Sequence, residues 1–284
     1  MLWVPPTSQD FTWWTSNVIG VRPATNYGAT ITPGASNAKG SYAQVLAALA
    51  RDVFGLLINF NSNGVSAAIR NTLADVGVDP AGGTSYSVLI PDLLLAGAST
   101  YDTGANGIWY YFPIWIRAGS TVAVRAQVNN ATAGSFRCHM KALGSPRDRQ
   151  GVRVGTFVRS FGVTAATSSG TAIVSGTTSE GAWTQIGSAT ADPLWWWQLG
   201  FGVADTTMTA LVYNADLSVG TATNKTIVAE DVPIASTSTE AVSSTPQRDQ
   251  SMYMTQSGQN VYARIQCSGT PDSTLSVAAY GLGG

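Results

Sequence analysis

Val122-Ala123-Val124-Arg125-Ala126-Gln127-Val128 is written again 139 positions later as Val261-Tyr262-Ala263-Arg264-Ile265-Gln266-Cys267. In both stretches the Arg and Gln fall on one side of an extended chain and the apolar residues on the other, the period-2 signature of a half-buried strand. Working outward, Gly119 and Gly258 precede these strands at the same spacing. Upstream, Val21-Arg22-Pro23-Ala24-Thr25 through Gly34 and Gln44 is matched by Val163-Thr164-Ala165-Ala166-Thr167 through Gly176 and Gln185. Phe60 and Ala74-Asp75 meet Phe201 and Ala215-Asp216, and Thr84, Val88 and Asp92 meet Thr223, Ile227 and Asp231. The offset drifts in order from 142 to 139, which predicts a folding unit of about 130 residues present twice.

The repeat also decides ambiguous segments. Ser41 to Arg51 alone has the alanines and leucines of a helix, yet its counterpart Ala182 to Pro193 carries Gly187 and Pro193. Two copies share a backbone, so both are read as extended or irregular. The stretch from Ser66 to Val78 is read as strand for the same reason, because Thr207 to Tyr213 is rich in β-favouring residues. The fold expected is all-β, two tandem, internally duplicated β-sandwich domains of jelly-roll type. The boundaries predicted are an N-terminal docking arm over 1–16, a first sandwich over 17–145, a linker over 146–154 and a second sandwich over 155–284.

Composition supports this class. Only 11% of the 284 residues are charged, against about 25% in an average globular protein, and Lys and Glu number three each. The formal net charge of −1 provides no overall field for nucleic acid or an anionic membrane, and no apolar run reaches the roughly 20 residues of a membrane helix. Met1-Leu2-Trp3-Val4 runs into Pro5-Pro6 without the basic start and apolar core of a secretion signal. A surface so poor in charge suits a protein that lives in an assembly. Cys138 and Cys267 occupy different repeat positions, each with a valine as counterpart, and are read as buried thiols.

Chemical candidates are few. His139 is the single histidine, which excludes His-rich metal sites and leaves a Ser-His-Asp triad one base; it is read as structural. No phosphate loop, dinucleotide fingerprint, nucleophile elbow or paired Cys-x-x-Cys occurs, so no cofactor, metal or catalytic residue is implied. Asp75 with Asp216, and Asp92 with Asp231 beside Glu230, recur in both halves. Paired carboxylates suit glycoside hydrolysis or calcium, but the alternating Asp/Asn loop of a calcium site is absent. Turn capping or pairing with Arg125 and Arg264 is the reading adopted.

Aromatic residues cluster at Trp109 to Trp115 and Leu194 to Phe201. Trp195 and Trp197 share one face of a strand and Trp196 takes the other, so at least one indole is expected at a surface. Trp13, Trp14, Trp109 and Trp196 are the candidate contacts for a subunit interface or a glycan. The first half has Phe54-Gly55-Leu56 where the second has its tryptophans, which argues against a sugar platform common to both. Arg147, Arg149 and Arg153 lead a basic cluster at the junction, read as a solvated linker or an ion-pairing contact with a partner subunit rather than a nucleic-acid site, because no aromatics interleave it.

Ile90-Pro91-Asp92-Leu93-Leu94, Tyr110-Tyr111-Phe112-Pro113-Ile114, Trp195 to Gly202 and the closing Tyr280-Gly281-Leu282-Gly283-Gly284 resemble features of tandem β proteins encoded by tailed bacteriophages. The resemblance runs from about Gly20 to the end and carries no catalytic motif. It implies a non-enzymatic virion structural component, assembled in the host cytoplasm, that decorates the head or belongs to the tail or its fibres. The partners it implies are further copies of the chain and other virion proteins. A tandem of this kind lets a trimer present six sandwiches to a sixfold neighbour. Two rival expectations are a glycan-binding receptor module and a double jelly-roll shell protein.

Overall fold

The computed structural model describes residues 28–34, 36–62, 69–98, 108–129, 135–144, 154–177, 179–203, 212–237, 240–242, 255–269 and 274–284. These form an all-β protein of four antiparallel sheets; the helical content among them is one 3₁₀ turn, Ala165–Thr167. The arm with Trp13 and Trp14, most of the linker, and Arg147, Arg149 and Arg153 lie outside the described residues.

The first half contributes β1 (Ala29–Ile31), β2 (Ala43–Leu46), β3 (Gly55–Ser62), β4 (Ile69–Asp79), β5 (Ser87–Ala98), β6 (Ile108–Phe112), β7 (Thr121–Val128) and β8 (Phe136–Leu143). One sheet runs β1-β8-β3-β6 and the other β2-β7-β4-β5. The second half contributes β9 (Phe157–Phe161), β10 (Thr171–Val174), β11 (Thr184–Gly187), β12 (Trp196–Val203), β13 (Val212–Gly220), β14 (Lys225–Thr237), β15 (Glu240–Val242), β16 (Asn260–Cys267) and β17 (Thr274–Gly283). Its sheets run β10-β17-β12, with β9 also on β17, and β11-β16-β13-β14-β15.

The order β1-β8-β3 thus has its equivalent in β10-β17-β12, and β2-β7-β4-β5 in β11-β16-β13-β14. Irregularities recur at matching places too. The β2–β7 register shifts between Gln44 and Leu46 and the β11–β16 register between Gln185 and Gly187. The β4–β5 register shifts across Asp75 and the β13–β14 register across Asp216. Opposite those bulges Asp92 and Asp231 take left-handed backbone, φ 54° and 51°, a conformation that short polar side chains tolerate better than most. Pro91 occupies the first bulge, where the missing N–H costs no ladder hydrogen bond.

Alternation along β12 and β17 explains how the halves join. Leu275, Val277 and Ala279 of β17, with Trp197, Leu199 and Phe201 of β12, enter the core of the second sandwich. Ala278, Tyr280 and Leu282, with Trp195 and Trp196, enter the core of the first. One sheet therefore has an apolar layer on each face, and the two sandwiches are welded along it. Gly200 makes the approach close enough: a Cβ there would lie 2.6 Å from the Tyr110 hydroxyl. The weld is also pinned by hydrogen bonds. The Tyr280 hydroxyl accepts the Leu94 N–H at 2.7 Å and donates to the Asp92 carbonyl at 2.9 Å, while the Tyr110 hydroxyl donates to the Leu94 carbonyl at 2.5 Å. A second polar contact lies at the 3₁₀ turn, where the Gln127 amide donates to the Ala165 carbonyl and the Ser168 hydroxyl donates to Asn37 at 2.8 Å.

The expectation that a tryptophan of the 195–197 run reaches the surface is corrected. Trp195, Trp196 and Trp197 are 3%, 1% and 1% exposed. The premise of one core per strand fails because β12 has a core on either side.

Candidate functional site

The residues on which chemistry was expected divide into three groups. Trp196 packs edge-on against Tyr111 and Trp195, with ring centroids 5.9 and 6.3 Å away. A buried indole cannot stack on a sugar, so Trp196 is a seam residue and its candidacy as a glycan contact is corrected. Trp109 sits half-buried on β6. Trp115, which the sequence reading did not single out, is, among the described residues, the tryptophan with a large exposed face, 40% accessible.

His139 lies half-buried on β8, on the outward side shared with Arg137 and Lys141. Burial, reinforced by the Lys141 ammonium, holds its imidazole below the ordinary 6.5. The charge acting on it is positive, the opposite of the carboxylate that orients a triad base. A base held neutral in the fold takes up fewer protons than it does in the unfolded chain, so its contribution is a loss of stability as pH falls below about 6.5. His139→Gln should therefore narrow the difference in urea-derived stability between pH 7 and pH 5.5; an unchanged or wider difference would refute this. Cys138 and Cys267 are buried thiols not joined in a disulfide, and burial pushes the Cys138 thiol far up, which leaves it inert.

The third group is built on the two bulges. In the first half Asp75 of β4, 3% exposed, accepts from Arg125 Nε at 2.9 Å on one oxygen. Its other oxygen accepts the Asp92 N–H at 3.0 Å and the Lys39 ammonium at 2.7 Å. Lys39 also reaches Asp92 at 2.8 Å and the Leu73 carbonyl at 3.2 Å. Two cations thus balance two carboxylates. Arg125 lies over the Tyr42 ring, 4.8 Å to its centroid, which fixes the guanidinium from above.

The second half repeats the frame. Asp216 of β13, also 3% exposed, accepts from Arg264 Nε at 2.8 Å and Nη2 at 2.7 Å, and its other oxygen accepts the Asp231 N–H at 2.7 Å. Arg264 lies over Trp183 at 4.4 Å. The lysine is not repeated: in its place Glu180 pairs with Arg264. Three carboxylates, Glu180, Asp216 and Asp231, converge here, and the Arg264 guanidinium pairs with the first two. Burial first, and then the neighbouring Asp216, raise the Glu180 carboxyl above its usual range. The pairing of Asp75 and Asp216 with arginines follows the sequence reading, which had no part for Lys39 or Glu180.

No family model matches the chain, and no curated protein does. Among solved structures it is similar to PNGase F, a glycosylasparaginase from Flavobacterium meningosepticum, at 9% identity and a TM-score of 0.35, over 91% of this chain and 94% of that one. It is also similar to a chain of infectious bursal disease virus, Gt strain (15% identity, TM-score 0.25, over 89% of this chain and 66% of that one). A chain of Sulfolobus Turreted Icosahedral Virus matches at 10% identity and a TM-score of 0.24, over 92% of this chain and 62% of that one. These weak structural neighbours include both an enzyme and viral particle proteins, and at such scores they carry no functional argument.

Proposed function

We propose that this chain is a non-enzymatic structural component of a virion that acts through subunit interfaces, decorating the head or belonging to the tail or fibres. The observation that carries the reading is the weld. Two sandwiches share a sheet that is apolar on both faces, so the chain behaves as one stiff block rather than as two modules on a tether. Asp75 and Asp216, the buried acids matched between the halves, are engaged with arginines, a use that suits a building block. Low surface charge supports assembly with further copies of the chain and other virion proteins.

A double jelly-roll shell protein is a second reading, favoured by the matching strand order of the two joined sandwiches. Mass spectrometry of purified particles, made by the genome that carries this gene, separates the two. A minor copy number is expected for a decoration, tail or fibre component and a dominant one for the shell. Absence from the particles, together with a monodisperse monomer by light scattering at micromolar concentration, would overturn both.

A further inference from the structure

We propose that Glu180, Asp216 and Asp231 bind one divalent, oxygen-seeking cation of the calcium class, in the seat that the Lys39 ammonium fills in the first half. The equivalence is fixed by backbone. The Gly34 and Gly40 N–H groups both donate to the Ala126 carbonyl of β7, and the Gly176 and Gly181 N–H groups both donate to the Ile265 carbonyl of β16. Lys39 precedes the second glycine of one loop and Glu180 the second glycine of the other. The two side chains leave the same point of the same frame with opposite charge.

In the first half a cation is seen on these carboxylates. The Lys39 ammonium touches Asp75 and Asp92 at 2.7 and 2.8 Å. The matching pair in the second half, Asp216 and Asp231, has the same bulge, the same left-handed aspartate and the same bond from its N–H to the buried carboxylate. What changes is the sign of the third group. The first site is electrically balanced, whereas the second has two negative charges in excess, the charge of one divalent cation. Close carboxylates that share too little positive charge repel each other, and a bound cation removes that penalty.

The geometry fits. One oxygen from each of the three carboxylates lies within 4.8 Å of the others. Oxygens ligating one calcium at about 2.4 Å can be no more than about 4.8 Å apart. Asp216 is buried while Glu180 and Asp231 reach solvent, so water can complete a coordination shell that three side chains leave open.

The test uses the full chain and the metal alone. Calorimetric titration with Ca²⁺ is expected to give one site per chain, and millimolar Ca²⁺ is expected to raise the thermal midpoint of the EDTA-treated protein. Glu180→Lys rebuilds the first-half arrangement and should abolish both effects while raising the metal-free midpoint above that of the wild type. Asp92→Asn, in the first half, should leave the titration unchanged. Absence of heat and of any midpoint shift with Ca²⁺, Mg²⁺ or Mn²⁺ would overturn the proposal and leave Glu180 as an ion-pair partner of Arg264. Binding that persists in Glu180→Lys would overturn it as well, by placing the cation elsewhere.

Discussion

Truncating Trp196 to alanine should destabilise the protein by about 3–5 kcal/mol, the range for removing a buried indole from a core that relaxes only in part. The residue is 1% exposed and lies at the seam, where Tyr111 of the first half closes over its ring. The hole left behind would be flanked by Tyr111 of β6 and by Trp195, which immediately precedes β12, large rings that are themselves packed in place. Urea denaturation at neutral pH measures the effect, and Trp115→Ala, at a 40% exposed position, provides the comparison with an expected cost below about 1 kcal/mol. Similar costs for the two variants would show that the seam does not hold the halves together.

Asp75→Ala should cost about 3 kcal/mol, because it removes the shared anion from Lys39 and Arg125 and strands the Asp92 N–H at the bulge. The corresponding change in the second half has a different balance. Asp216→Ala also loses the bond from the Asp231 N–H, but it relieves a surplus of negative charge and leaves Glu180 to pair with Arg264. In EDTA it should therefore be the milder change by at least about 1 kcal/mol. Equal costs in the two halves would mean that the charge difference between the sites has no energetic weight.

Much of this architecture is legible in the amino-acid order. The Arg125/Gln127 and Arg264/Gln266 stripes mark β7 and β16, and the matched aspartates mark the bulges that oppose them. Valine counterparts identified the cysteines as buried thiols. The tryptophans were misjudged because alternation was read with one core in mind. A signal for the second core was present in the copies themselves: Arg137, His139 and Lys141 of β8 correspond to Ser276, Ala278 and Tyr280 of β17. A face that exchanges two cations for small residues and a tyrosine has something packed on it. The Lys39/Glu180 exchange was harder to see, because the loop between the two glycines is one residue shorter in the second half and the correspondence slips there. Only the paired bonds to Ala126 and Ile265 restore it.

The outward side of β8 has a consequence for growth. Its equivalent on β17 is the side that adheres to the first sandwich, so a sandwich stacked in the same way ahead of the first would have to settle against Arg137, His139 and Lys141. Burying that basic row without anions opposite would be costly. On this side the first sandwich thus presents a polar face, as the terminal repeats of solenoids do.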